Sequence, residues 1–175
     1  MATATNIQRR PTLLHSCARA ATAEEARFRI QDPNSTARAS RVVALDPGAE
    51  AIMDGLTGHR WQGARFLVYE AAAPEEDGAG PDAILRTSGG AATRLSDELE
   101  GADVAVMIAT TDRGAEAASV IGRAAFRRRI MTAGLVVGGG EEVRAAVNAL
   151  RPYAAVLVVS ADPHYVADVL RALRA

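Results

Sequence analysis

From residue 103 to residue 174 the chain alternates strongly apolar runs with amphipathic segments, and this alternation restricts the fold more than any other feature. Strands that are apolar on both faces, with helices of about 10–15 residues between them, form parallel sheets covered by helices on both sides. The sequence therefore predicts an α/β fold with three layers. Its three predicted strand and helix pairs are 103–110 with 115–128, 130–137 with 141–151, and 154–160 with 163–174.

The earlier part of the chain opens with a similar unit, a short apolar strand followed by a tight loop and a helix, as in Rossmann-like domains. We predict strands at 41–45, 64–70 and 82–85, a helix after Asp46-Pro47-Gly48, an exposed acidic loop at 71–81 and a helix over 91–100. Before this unit, helical spacing starts at Pro11. We therefore predict an N-terminal helical extension over 1–40 and a Rossmann-like α/β domain, with a mostly parallel sheet, over 41–175.

Charge and composition exclude several classes of function. The 20 basic and 21 acidic residues give a net charge of −1, which argues against nucleic-acid binding and against binding to a membrane surface. Every basic residue is arginine, so no lysine can serve a phosphate loop, a Schiff base or general-base catalysis. The single cysteine, Cys17, cannot form an intrachain disulfide, and no apolar run approaches the roughly 20 residues of a membrane span. We expect a cytoplasmic protein.

The loops that follow the predicted strands are where a ligand would bind. In open parallel sheets the binding crevice lies beyond the carboxyl ends of the strands, where loops and helix N-termini converge. We predict that any small-molecule or cofactor site, a nucleotide among the options, draws on residues of three such loops. These residues are Asp46, Gly48, Thr110, Thr111, Asp112, Arg113, Gly114, Gly138 and Gly139.

Each of these loops also has a structural interpretation. Asp112 can cap the helix that follows it, or it can contact a ligand together with Arg113, which would pair an anion, and the two threonines. The glycines at 138–140 let a backbone approach a phosphate, but Glu141 and Glu142 would repel one, and both carboxylates suit the first turn of a helix. The pattern G-x-G-x-x-G is missing from this loop.

Catalytic and metal-binding constellations are weak in this sequence. A serine, an aspartate and a histidine occur within 160–164, but triad members converge from separate elements, and Asp162 before Pro163 is typical of a helix start. The three histidines, His15, His59 and His164, lack zinc-site spacing. The sequence therefore predicts no metal site and identifies no catalytic residue.

The segments LEGADVAVMIA (99–109), AASVIGRAA (117–125) and GLVV (134–137) are predicted as a strand, a helix and the end of a second strand, in that order. In this order and in their letters they resemble the central region of the bacterial tubulin FtsZ family. The segment 42–48 stands where the family has its first strand and glycine loop, and 66–70 where its second strand contacts nucleotide. This resemblance covers about half of the chain and implies a nucleotide-binding-like fold similar to the N-terminal domain of tubulins.

The sequence departs from that family at the phosphate loop. The family's GGGTGTG loop corresponds to 110–116, which has one glycine and two added carboxylates, Asp112 and Glu116. Because these carboxylates would repel a triphosphate, we expect the family's GTPase function to be absent. One hypothesis is a non-enzymatic binding or assembly subunit that contacts a small anionic ligand, a protein partner or another copy of itself. The alternative is a small cofactor- or nucleotide-dependent enzyme that uses carboxylates and Arg113.

Overall fold

The computed structural model describes residues 37–74 and 80–175. Short 3₁₀ turns, Asp112–Gly114 and Gly140–Val143, each precede a helix in this part of the chain. In chain order the strands and helices are β1 Ser40–Ala44, α1 Pro47–Thr57, β2 Ala64–Ala73, β3 Asp82–Thr87, β4 Ala92–Arg94, α2 Leu95–Leu99, β5 Val104–Ala109, α3 Ala115–Arg127, β6 Met131–Val137, α4 Arg144–Leu150, β7 Val156–Ser160 and α5 Tyr165–Leu173.

The strands form one sheet in the order β4-β3-β2-β1-β5-β6-β7. Strands β2, β1, β5, β6 and β7 are parallel, whereas β3 and β4 add an antiparallel hairpin at one edge. Counted along the chain, the parallel strands follow the doubly wound order 2-1-3-4-5, so the strand order reverses between β1 and β5. The predicted α/β class with a mostly parallel sheet is confirmed, and the layout is compatible with a Rossmann-like domain.

Helices cover both faces of the sheet. The central strand β5 is fully buried, and its residues alternate between two apolar clusters. Ala105, Met107 and Ala109 face the cluster that contains residues of α2, α3 and α4, whereas the alternate residues of β5 face the cluster that contains residues of α1 and α5. This arrangement explains why the strand reads as a continuous apolar run: both of its faces lie in a core.

The antiparallel hairpin corrects one predicted element. A helix over 91–100 is wrong for its first four residues, because Ala92–Arg94 is a strand paired with Ile84–Arg86. Gly90 has a φ of +84°, and its N–H donates to the carbonyl of Thr87, which closes a turn instead of starting a helix. The predicted loop over 71–81 also begins too early, since β2 continues to Ala73.

Asp82 ties this hairpin to α2. Its carboxylate accepts hydrogen bonds from the Ser96 N–H at 2.9 Å, the Ser96 hydroxyl at 3.0 Å and Arg94 Nε at 3.0 Å, and also from the N–H of Ala83. Burial alone would raise the pKa of Asp82, but these hydrogen bonds to the ionised form outweigh it, and the pKa is lowered. Asp82 therefore contributes to stability as a carboxylate.

Two other predictions fall wholly or partly outside the described residues. The predicted N-terminal extension over 1–40 lies outside them except for its last four residues, and the centre of the acidic loop, 75–79, also lies outside. None of the described helices has the length and apolar character that crossing a bilayer requires.

Candidate functional site

The loops after β1 and β5 meet at the point where the strand order reverses. Strands β1 and β5 are parallel neighbours, paired from Ser40 with Val104 to Ala44 with Ile108. Their carboxyl ends therefore lie side by side, and the helices that follow them, α1 and α3, leave toward opposite faces of the sheet. A crevice of this kind is where α/β proteins most often hold ligands.

Asp46 joins the two loops through four hydrogen bonds. Its Oδ1 accepts from the Ala49 N–H at 2.9 Å, as the N-cap of α1, and from the Thr110 hydroxyl at 2.6 Å. Its Oδ2 accepts from the backbone N–H groups of Thr110 at 2.7 Å and Thr111 at 3.1 Å. The residue is only 5% exposed. Both of its oxygens are therefore used within the fold.

Two glycines allow the loops to approach this closely. A Cβ on Gly48 would overlap the hydroxyl oxygen of Thr110, and a Cβ on Gly114 would lie 3.0 Å from that of Leu45 and 3.4 Å from Asp46 Oδ2. Hence the structure brings four of the candidate residues together, and the contacts that it shows are with one another: Asp46, Gly48, Thr110 and Gly114. Whether they also contact a ligand stays a prediction.

Asp112 caps a different helix from the predicted one. The helix that follows it, α3, has no N-terminal hydrogen bond from a described side chain. Instead, Asp112 Oδ1 accepts from the backbone N–H groups of Ala145 at 2.7 Å and Ala146 at 3.2 Å, in the first turn of α4. The capping interpretation is thus right for the chemistry and wrong for the helix. No local pattern signals it, because the partners are more than 30 residues apart in sequence.

The glycine loop before α4 shapes the backbone around this contact. Gly138 has a φ of +148° and Gly140 a φ of +70°, and a Cβ on Gly138 would lie 2.9 Å from Val143 Cγ1. Gly139 is exposed and has no such close neighbour. The N–H groups that a phosphate would use at the start of α4 are already bonded to Asp112.

Arg113 and Thr111 are the exposed polar side chains of the β5 loop. Within the described part of the chain, the Arg113 guanidinium makes no hydrogen bond or ion pair. The neighbouring acidic residue, Asp112, is already bonded to backbone N–H groups of α4, and Asp46 is bonded to the N–H groups of Thr110 and Thr111. Arg113 is therefore the charged group of this loop that is free to meet an anion.

An ion-pair network near the same edge was missed by sequence reasoning. Arg86 Nε donates to Glu70 at 2.6 Å, and its Nη2 donates to Glu50 in the first turn of α1 at 2.8 Å. The hydrogen bonds to Glu50 and Glu70 raise the pKa of Arg86. Glu70 is the last residue of the predicted strand 64–70, but Arg86 comes from the antiparallel strand β3. Only the order of strands in the sheet therefore reveals the network.

Tyr69, the residue before Glu70 in β2, carries a buried polar atom. Its hydroxyl oxygen is buried without a hydrogen-bond partner among the described residues, and burial together with the charge of Glu116 raises the pKa of this phenol. The phenol is therefore held in its neutral form.

In the described ranges, no three histidine, cysteine, aspartate or glutamate side chains come together in a way that could hold a metal ion.

Comparison with protein-family models, with curated proteins and with solved structures gave no match for this chain.

Proposed function

We propose that this chain is a non-enzymatic α/β binding or assembly subunit, built on a nucleotide-binding type of fold, that contacts an anionic group of a partner through Arg113. The observation that carries the proposal is the use of both carboxylates at the strand ends as acceptors for the protein's own backbone N–H groups. The resemblance to the FtsZ family is part of this proposal. It rests on the order of the quoted segments in the sequence alone.

Catalysis by these carboxylates is disfavoured by their hydrogen bonds. A general base needs an oxygen within reach of the substrate proton. Asp46 is buried and accepts four hydrogen bonds, and Asp112 Oδ1 accepts two from the first turn of α4. Abstracting a proton with either residue would first require breaking contacts that hold two loops or a helix end in place.

Phosphate binding is disfavoured at the same two positions. The N–H groups after β5 face Asp46, and those at the start of α4 face Asp112. A nucleotide phosphate placed at either position would lose these donors to a carboxylate and would also be repelled by its charge. These contacts support a subunit that does not use a nucleotide.

Arg113 supports an anionic contact of another kind. An exposed guanidinium can bind a carboxylate of a partner through two parallel hydrogen bonds, and the exposed Thr111 hydroxyl next to it can add a third. A surface contact of this kind does not need the backbone N–H groups that a phosphate would use, which are bonded to Asp46 and Asp112.

A thermal-shift screen of the full chain tests the absence of nucleotide and cofactor binding. GTP, GDP, ATP, NAD(P), flavins and coenzyme A should leave the melting temperature unchanged, whereas a ligand at about 100 times its dissociation constant stabilises by about 2.7 kcal/mol. A reproducible shift with any of these ligands would refute the proposal. It would favour the alternative, a small nucleotide- or cofactor-dependent enzyme.

Binding of a polyglutamate peptide to the immobilised full chain tests the role of Arg113. Arg113→Ala should weaken this binding, and the effect should fade as salt is raised. Arg60→Ala is the matched control, because Arg60 is also exposed and without a partner among the described residues but lies in the loop after α1. Equal binding by wild type and Arg113→Ala would remove Arg113 from the site.

A further inference from the structure

We infer that the exposed edge of β7 is a dimerisation surface, where β7 of one copy pairs antiparallel with β7 of a second copy to join two sheets into one. This inference concerns a different surface from the strand-end loops and does not depend on what those loops bind.

Among the described strands, β7 has a partner on one side only. Its neighbour β6 occupies one side, and no described strand occupies the other, so alternate N–H and C=O groups point outward. The strand VLVVS contains no charge and no proline, and Val156 and Val159 are 41% and 48% exposed. An apolar edge strand of this kind is a template for pairing with another strand.

The other edge strand of the sheet, β4, has features that hinder pairing with a strand of another molecule. Strand β4 has only three residues, Ala92–Arg94, and ends in a charged side chain that pairs with Asp82. Short edge strands and charged residues are devices that prevent edge-to-edge association. Within the described residues, the sheet therefore has one edge with these devices, β4, and one edge strand that lacks them, β7.

The sequence of β7 is complementary to itself in one register. A two-fold axis normal to the sheet maps each face onto itself, so a residue can oppose only residues of its own face. The register centred on Val158 uses all five residues of the strand. It places Leu157 opposite the second copy's Val159, and Val156 opposite the second copy's Ser160, which covers both of the exposed valines.

Charges flanking β7 favour the antiparallel arrangement. Arg151 precedes the strand, is exposed and has no partner among the described residues, and the exposed Asp162 follows the strand. Antiparallel pairing brings Arg151 of one copy to the same end of the dimer as Asp162 of the other. Parallel pairing would instead place like charges together, so the observed distribution favours the antiparallel dimer.

Light scattering after size exclusion tests the dimer on the full chain. Wild type should elute with twice the chain mass of 18.3 kDa and dissociate on dilution. Val159→Lys should elute as a monomer, because it places a cation opposite Leu157 of the second copy. Ala92→Lys, the same kind of change at the exposed residue of the other edge strand, should remain a dimer. A wild type that is monomeric at every concentration, or a Val159→Lys protein that stays dimeric, would overturn the inference.

A crosslinking experiment decides the register and does not require a disruptive variant. In a Cys17→Ala background, Val158→Cys should form an intermolecular disulfide on oxidation, because directly opposed residues of antiparallel strands have Cα atoms about 4.5–5.5 Å apart. Val156→Cys is the control and should crosslink far less, since it faces Ser160. Equal or no crosslinking of the two variants contradicts this register.

Discussion

Replacing Asp46 with alanine should destabilise the fold by about 3–5 kcal/mol, a large part of the about 5–15 kcal/mol that a domain of this type has. The substitution removes the N-cap of α1 and every acceptor that holds the β5 loop against the β1 loop. It leaves the N–H groups of Thr110 and Thr111 facing a small apolar side chain at a partly buried position.

The magnitude follows from the individual contacts. Loss of an N-cap costs about 1 kcal/mol, and a hydrogen bond to a charged group contributes about 1.5–3 kcal/mol. Three such bonds beyond the cap would give roughly 5–9 kcal/mol if they were additive, but they share one carboxylate and are not. Because the Thr110 side is only partly buried and can recover water, a total of about 3–5 kcal/mol is expected.

Urea denaturation of wild type, Asp46→Ala and Asp46→Asn measures this effect. Asparagine can turn its carbonyl oxygen toward the N–H groups of Thr110 and Thr111, and its NH₂ group can donate to the Thr110 hydroxyl but cannot accept from the Ala49 N–H. Since the main loss is the cap of α1, the cost should be about 1–2 kcal/mol. Asp54→Ala, which removes an exposed carboxylate from the same helix, should stay within about 0.5 kcal/mol of wild type.

Asp46→Ala should lose the most stability, Asp46→Asn less and Asp54→Ala the least. If Asp46→Ala costs less than about 1 kcal/mol, or if asparagine is as damaging as alanine, Asp46 is not the junction between the loops. Equal m-values across the series are needed, because a changed slope would mean that the denatured or native state had altered.

Three further substitutions test the close approach of Gly48, the contacts of Asp82 in the hairpin and the cap that Asp112 provides for α4. Gly48→Ala should destabilise by about 1–3 kcal/mol through its clash with the Thr110 hydroxyl, and the double variant with Thr110→Ala should lose less than the sum of the two single losses in urea. Asp82→Asn should lose about 1–3 kcal/mol near pH 7, whereas the exposed Asp97→Asn should lose almost nothing. Because the pKa of Asp82 is lowered in the folded state, its contribution is complete above the unfolded value of about 3.9 and is lost as pH falls through the folded value, so the Asp82→Asn difference should shrink below about pH 4. Asp112→Ala should lose about 1 kcal/mol in chloride and should be stabilised by sulfate more than wild type is, as thermal melts in the two salts would show; an equal sulfate response contradicts an anion cradle at the start of α4.

The parallel part of the fold could be predicted because its signals are local. Fully buried strands such as β5 read as continuous apolar runs, and α1 begins with an N-cap, Asp46, followed by Pro47 at the first helical position. The hairpin could not be predicted in the same way. Its turn, Ser88-Gly89-Gly90, has the same composition as a helix start, and only pairing with β3 distinguishes the two.

The meeting of the strand-end loops at one edge of the sheet could be predicted from the sequence, but the contacts between them could not. Strand ends and their loops follow from the order of elements, so Asp46, Thr110 and Asp112 were identifiable as candidates. Their actual partners lie about 30 to 65 residues away in sequence. A side chain that caps a distant helix has the same local sequence as one that caps its own, so the choice is made by tertiary packing.

The two carboxylates at the strand ends differ in how an outside anion could compete with them. Asp112 is a tethered anion at a helix N-terminus, and tethering gives it an effective concentration on the order of millimolar or more, so a free phosphate must bind tightly to replace it. Asp46 is buried and holds two loops together, so its displacement would open the fold itself. Asp112→Ala therefore tests whether the N–H groups that Asp112 now occupies attract a free anion, whereas Asp46→Ala reports on stability. A sulfate response in Asp112→Ala that Asp46→Ala lacks would separate these two roles.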